Sequence, residues 1–229
     1  MVRFIKYTFL FSFMLILGQA TAQFSVGGGA TTMMEFGNNK PFYGLHFNME
    51  FPRNNQVTFY GRLTYLFNQN KKEYISDLTA TAIDASTDPQ WVTVPMNNVS
   101  SINYFMIDGG TRYYLINGFD EGFSVYGGTN LALIVNSVKH GYQFGEYDQS
   151  KYLLNAGDFS DARQKGTIMR LAVGFTGGIK YTFPGKGTIY FDFNPQLTLF
   201  GLPSNQNIPS SVYKPVFFGF NIGYRKEIY

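Results

Sequence analysis

The chain offers few residues for catalysis. It holds two histidines, His46 and His140, and no cysteine. Two histidines that far apart in sequence do not make up the nitrogen and sulfur ligand set that holds zinc. The stretch "GFSVYG" around Ser124 lacks the G-x-S-x-G spacing of a nucleophile elbow and reads as strand. "HFN" at 46–48 has no companion serine at strand spacing, as an enzyme trimming lipid would need. Glu146, Asp148, Asp158 and Asp161 lie among Tyr142, Phe144, Tyr147, Tyr152 and Phe159. Their spacing fits no EF-hand loop, so they read as a solvated loop with aromatic anchors. No glycine-rich turn leads from a strand into a helix, so nothing cradles a phosphate. These residues predict no enzyme, no metal and no cofactor.

A different set carries a different chemistry. His46, Glu50, Arg62, Asp108, Arg112, Arg170, Lys180, Asp192 and Arg225 fall on the minority face of segments whose other face is Phe, Leu, Ile, Val and Tyr. Ionic groups spaced this way would be enclosed together. Enclosed charges are costly unless they pair. The expected chemistry is mutual neutralisation. Lys180 is expected to face Asp192 across "PGKG", and His46 to lie near Arg62 across "PRNN".

The elements that would position these residues repeat with period two. Eight alternating segments are expected at 24–35, 42–51, 56–67, 101–115, 122–135, 166–183, 188–200 and 216–229. Long polar stretches at 68–100 and 136–165 read as loops, with Trp91 and His140 inside them. Trp91, Val92, Val94 and Pro95 suit packing on a rim better than docking an extended partner segment. Connections two, four and six ("PRNN", "NGFDEG", "PGKG") are short, while three, five and seven are long. That asymmetry belongs to a membrane barrel with short turns at one end. Tyr43, Phe51, Tyr65, Phe67, Tyr113, Tyr181, Phe183 and Tyr224, near strand ends, would form its aromatic girdles.

Composition agrees. Phe numbers 24 and Tyr 17, while charged residues make up only 14%, against roughly 25% in an average chain. A charged start (Arg3, Lys6), the apolar run "TFLFSFMLILG" and Ala20-Thr21-Ala22 read as a signal peptide, 1–22, cut after Ala22. The cut site has no cysteine, which argues against a lipoprotein. Residues 23–229 would then be one barrel domain. Removing Arg3 and Lys6 leaves 18 − 2 = 16 Lys+Arg against 15 Asp+Glu. A net charge of about +1 gives no footprint for nucleic acid. After the signal no apolar run reaches 18 residues, so any membrane crossing must be made by strands.

The "QATAQ" cut, the eight alternating strands and the closing "FFGFNIGYR" resemble the small outer-membrane β-barrel families of Gram-negative bacteria, OmpA-type and PorT-like barrels foremost. The resemblance implies an all-β, eight-stranded antiparallel up-and-down transmembrane barrel in the outer membrane. Its partners would be outer-membrane lipids and, during insertion, the barrel-assembly machinery. That machinery would read the terminal strand through Phe218, Phe220, Ile222, Tyr224 and Tyr229. The expected function is a non-enzymatic structural or interaction component of the envelope, with an envelope protein as a further partner and a lumen filled by side chains. The alternative is a narrow pore or an OmpW-like transporter of small or hydrophobic molecules.

Overall fold

Alternation of large apolar and small or polar residues produces strands that each present two chemically different faces. In the computed structural model, residues 24–37, 40–120, 122–155, 157, 164–203 and 214–228 are described. Nine strands run through them: β1 (Phe24–Glu35), β2 (Phe42–Pro52), β3 (Val57–Ala82), β4 (Trp91–Ile116), β5 (Phe123–Phe144), β6 (Tyr152–Leu154), β7 (Gln164–Phe183), β8 (Gly187–Pro203) and β9 (Val216–Ile228). The segment 1–22, Tyr229, Asp158, Phe159 and Asp161 lie outside the described residues.

Eight of these strands close a ring. The order is β2-β1-β9-β8-β7-β5-β4-β3, with β3 pairing back onto β2. Every neighbouring pair is antiparallel. The ends of the chain meet through β1 and β9, in unbroken register from Phe24↔Ile228 to Glu35↔Phe217. Strand β6 stands outside the ring and pairs with the far end of β3. No helix among the described residues is long and apolar enough to cross a membrane. A closed ring of strands needs none, because its backbone groups are paired within the wall.

The wall is inverted relative to a soluble sandwich. Outward positions are apolar and exposed, among them Leu45, Phe47, Phe59, Leu63, Ile107 and Phe191. Inward positions are polar and buried, including Thr58, Arg62, Asp108, Asn194 and Asn221. On β3 the outward run from Val57 to Phe67 matches the roughly 9–11 residues that a tilted strand needs to cross a bilayer. Aromatic residues rim this band at both ends. Tyr43, Tyr65 and Phe67 lie toward the long-loop end. Phe51, Tyr113, Tyr181, Phe183 and Tyr224 lie toward the short turns.

The first expected loop is largely strand, and the second is strand in part among its described residues. β3 and β4 pair from Val57↔Tyr113 up to Thr81↔Trp91, with irregularities at Leu66/Gln69 and Tyr74/Ser76. Trp91 therefore opens β4. Strand β5 likewise runs on to Phe144, which puts His140 in a strand, buried. The physical reason is local. Tyr74, Ile75, Thr79, Thr81, Val92, Thr93 and Val94 favour extended backbone. Above the bilayer, such a hairpin needs no continuous apolar outer face. From Phe67 to Ala82 the hairpin adds 15 residues, about 50 Å of strand at ~3.3 Å each. The chain after β5 crosses to the opposite edge of this hairpin and adds β6. There Tyr152 packs on Ala80 and Val94, beside Val92, Phe144, Tyr147 and Leu154.

Beyond Met96, where β4 stops pairing with β5, the ladder of the upper hairpin is separate from the ring. Replacing Ile75–Met96 by Asn-Gly, a two-residue turn joining the paired Tyr74 and Asn97, should leave a barrel that still refolds. The check is heat-modifiable migration on a gel. A variant that loses this mobility would show that the hairpin tip is needed for closure.

Candidate functional site: the filled lumen

Strand alternation sends the nine ionic residues to one side of the wall, and all nine are buried inside the ring: His46, Glu50, Arg62, Asp108, Arg112, Arg170, Lys180, Asp192 and Arg225. Six of them join into one network. The Arg62 guanidinium grips Asp108 with two donors, Nε at 3.0 Å and Nη2 at 2.8 Å. Its third nitrogen reaches Asp192 Oδ2 at 3.3 Å. Arg112 bridges two carboxylates, Glu50 at 2.5 Å and Asp192 at 2.7 Å. Arg225 forms an ion pair with Glu50 and donates to the Tyr114 hydroxyl at 3.1 Å. Three guanidinium groups thus meet three carboxylates, and the set is neutral.

Hydroxyls complete the network. Thr58 and Tyr114 each donate to Glu50 Oε1 at 2.5 Å. Tyr126 donates to Asp192 Oδ1. The Arg112 guanidinium also lies between the rings of Tyr60 and Tyr126, 4.3 and 4.9 Å from their centroids. Two inward glycines make room for these rings. A Cβ at Gly178 would come within 2.6 Å of the Tyr126 hydroxyl, and one at Gly223 within 2.3 Å of the Tyr190 hydroxyl. Bulk at either site would drive a tyrosine out of place.

His46 belongs to a neutral branch. The Thr31 hydroxyl donates to Asn221 Oδ1 at 2.8 Å, so it accepts from His46 Nδ1 at 2.7 Å. His46 Nε2 is then an acceptor, and the Tyr190 hydroxyl lies 2.5 Å away as its donor. This fixes the ring as a packed relay between two hydroxyls. Its cross-strand neighbour is Thr64, while Arg62 faces Asn48.

Lys180 and Arg170 stand at opposite ends of the lumen. The expected pairing of Lys180 with Asp192 does not form, because the register places Lys180 opposite Tyr190 and sets Asp192 opposite Gly178. Its Nζ donates to the Phe119 carbonyl and, at 3.0 Å, to Thr182. The oxygens of Asp192 are occupied by Arg62, Arg112 and Tyr126. A hairpin turn sets which residues share a face. The remaining strands of the ring set which of them touch. Arg170 sits near the long-loop end, donating to Asn136 at 3.2 Å and to the Lys214 carbonyl at 3.0 Å, beside the rings of Tyr104 and Phe217.

Sequence reasoning missed an apolar layer that surrounds Arg170. Met33, Phe42, Leu66, Ile102, Tyr104, Met106, Ile134, Val138, Ile168 and Phe217 pack together inside the ring, above the charged layer. Each lies in the inward phase of its strand, so following that phase to the strand ends would have found them. Among the described residues, the loop carboxylates Glu146 and Asp148 form no comparable site. Asp148 accepts from the Ser150 hydroxyl at 2.6 Å and its amide at 3.0 Å, and these bonds hold its carboxyl below the usual range. It closes a turn.

The exposed apolar band, the girdles at both its edges and the buried ionic interior together decide the architecture. The chain is a transmembrane β-barrel. No protein-family model matches it, and no curated protein does. Among solved structures it is similar to the Neisserial surface protein NspA, with 10% identity over 91% of this chain and 98% of that one and a TM-score of 0.49. It is also similar to Ail, the attachment invasion locus protein of Yersinia pestis, with 13% identity, 90% and 97% coverage and a TM-score of 0.44. A major outer membrane protein of Thermus thermophilus gives 11% identity, 91% and 100% coverage and a TM-score of 0.45. At these values the neighbours add nothing to the topology and register described above.

Arg112 holds two carboxylates that have no route to water. Arg112→Leu should destabilise the barrel by about 3–5 kcal/mol, the cost of breaking a buried pair from one side. Urea titration of protein folded into lipid vesicles measures it. Combining Arg112→Leu with Arg170→Leu should be additive to within about 0.5 kcal/mol, because among the described residues the contacts of the two arginines lie in different layers. Strong coupling between them would mean that the two layers act as one network.

Proposed function

We propose that the protein is a non-enzymatic outer-membrane barrel, of the OmpA-type or PorT-like kind, that acts through its surfaces and does not conduct through its lumen. One observation carries this reading, the filling of the interior by two stacked layers, one ionic and one apolar. The void beside Arg62, Asn194, Gln196 and Phe217 measures about 20 Å³, room for roughly one water. Ions would have to displace paired charges and then carry water through the dry apolar layer. The reading also draws support from the long β3–β4 hairpin. It offers an interaction surface at the long-loop end, which we assign to the cell exterior. There Trp91, Ile83 and Leu153 are exposed, in reach of an envelope or surface partner.

Export and insertion follow the same reading. Residues 1–22 serve as the signal peptide, and mature protein recovered from the envelope should begin at Gln23 by N-terminal sequencing. A start at Met1 would overturn this. Strand β9 serves as the strand read by the assembly machinery, with Phe218, Phe220, Ile222 and Tyr224 on its outward phase.

Planar-bilayer recording tests the central claim. Refolded wild type should be electrically silent, and Arg62→Ala should stay silent because the apolar layer remains. Discrete openings should need both layers thinned, as in Arg62→Ala with Leu66→Ala and Phe217→Ala. Stable openings in wild type would make transport the function.

A further inference from the structure

We propose that Lys72, Lys139 and Lys165 form a seat on the outer wall for the phosphate of a lipid headgroup. Lys139 and Lys165 are directly opposed across the β5–β7 ladder, on the outward face. Both are exposed. Such opposed residues have Cβ atoms about 4.5–5.5 Å apart, and like charges in this position destabilise a sheet. In the same row, β4 places Ser101 opposite Lys139, and β3 places Asn70 opposite Ser101. One row farther from the band, Lys72 stands opposite Val99. A groove of about 420 Å³ runs between Asn70, Lys72, Ser101 and Lys139.

Among the described residues, the neighbouring outward positions offer no countercharge. Positions 68, 70 and 72 on β3, 99, 101 and 103 on β4, 137, 139 and 141 on β5, and 165, 167 and 169 on β7 contain no Asp or Glu. Lys71, on the inner phase, also borders this groove but turns toward Glu35 at 4.0 Å and toward the Phe42 ring. Lys72 does not share that arrangement.

Height selects the ligand. The cationic row sits just beyond the end of the apolar band, where Phe67, Phe105 and Met169 are exposed and Val135 half-buried. A headgroup phosphate lies at that level when its acyl chains cover those side chains. Each lysine near an anionic lipid surface contributes about 1 kcal/mol of attraction, and an ammonium binds phosphate as a point charge. A phosphate between Lys139 and Lys165 would convert their repulsion into a bridge. A soluble anion would find the same charges but lose the acyl contacts.

This inference requires the barrel to span a bilayer. It is independent of whether the lumen conducts. The experiment uses refolded protein in detergent, with folding checked by heat-modifiable migration. Native mass spectrometry measures binding of phosphatidic acid, with phosphatidylcholine for comparison. Lys72→Gln/Lys139→Gln/Lys165→Gln should weaken phosphatidic acid binding at least tenfold. Lys226→Gln, at another exposed lysine near the opposite girdle, should change it less than twofold. A second readout keeps the test open if the triple variant folds poorly. Lys139→Gln should unfold more slowly than wild type in phosphatidylcholine vesicles, where repulsion is relieved. It should unfold faster in vesicles containing phosphatidic acid, where the bridge is lost. Equal binding by the triple variant and Lys226→Gln would overturn the proposal. So would full displacement of the lipid by millimolar inorganic phosphate, which would mark the site as one for soluble anions.

Discussion

A bilayer supplies no hydrogen-bond partner, so every backbone amide in a spanning wall must find one inside the protein. Ring closure between β1 and β9 is therefore the condition on which the other features depend. It explains why the closing strand keeps unbroken register over the whole of β1. It also dictates the chemistry of the two wall faces. Lipid claims the outside for Phe, Leu and Ile, and the interior receives whatever remains. At Pro195 the ladder between β7 and β8 skips two pairs, between Gly174↔Gln196 and Gly177↔Phe193. Proline has no amide to donate. The break is short and lies between ordered stretches on both sides.

Enclosing charge in so narrow a ring is tolerable only because the charges cancel. Asp192 illustrates the arrangement, since its two oxygens serve two arginines and a tyrosine at once. Removing any member strands its neighbours in a buried space with room for about one water. The tyrosines contribute twice, as hydroxyl donors and as faces on which guanidinium groups rest. The apolar layer above needs no such cancellation. It seals the lumen by packing, and Arg170 is accommodated within it by carbonyl and amide acceptors and aromatic faces.

Much of this was legible in the sequence, since period-two alternation assigns each residue to a face without reference to any partner. Glu50 and Arg62 could be placed in the interior from their neighbours alone. Contacts within the interior were not legible. They depend on strand tilt and on local irregularities such as those at Leu66/Gln69 and Leu171/Ala172, which shift diagonal neighbours. Asp192 meets Arg112, from across the ring, and not Lys180 one turn away, whose place opposite Tyr190 is set by the β7–β8 register. The upper hairpin escaped for another reason. Above the bilayer, both faces of a strand can be polar, and "NQNKKEYISD" then resembles a loop. Its strand character lies in β-branched and aromatic residues spread thinly among charges.

The continuity of β3 and β4 through the membrane and beyond it divides the labour along a single strand. Residues up to Phe67 answer to lipid thickness and ring closure. On β3, residues beyond Ile75 answer only to their partners across the hairpin and to the small cluster around Tyr152. The two stretches can accumulate substitutions under separate selection. A change at Trp91 or Thr81 has little effect on the barrel, whereas a change at Arg62 affects all of it. The hairpin tip can therefore diversify while the membrane-spanning half stays fixed.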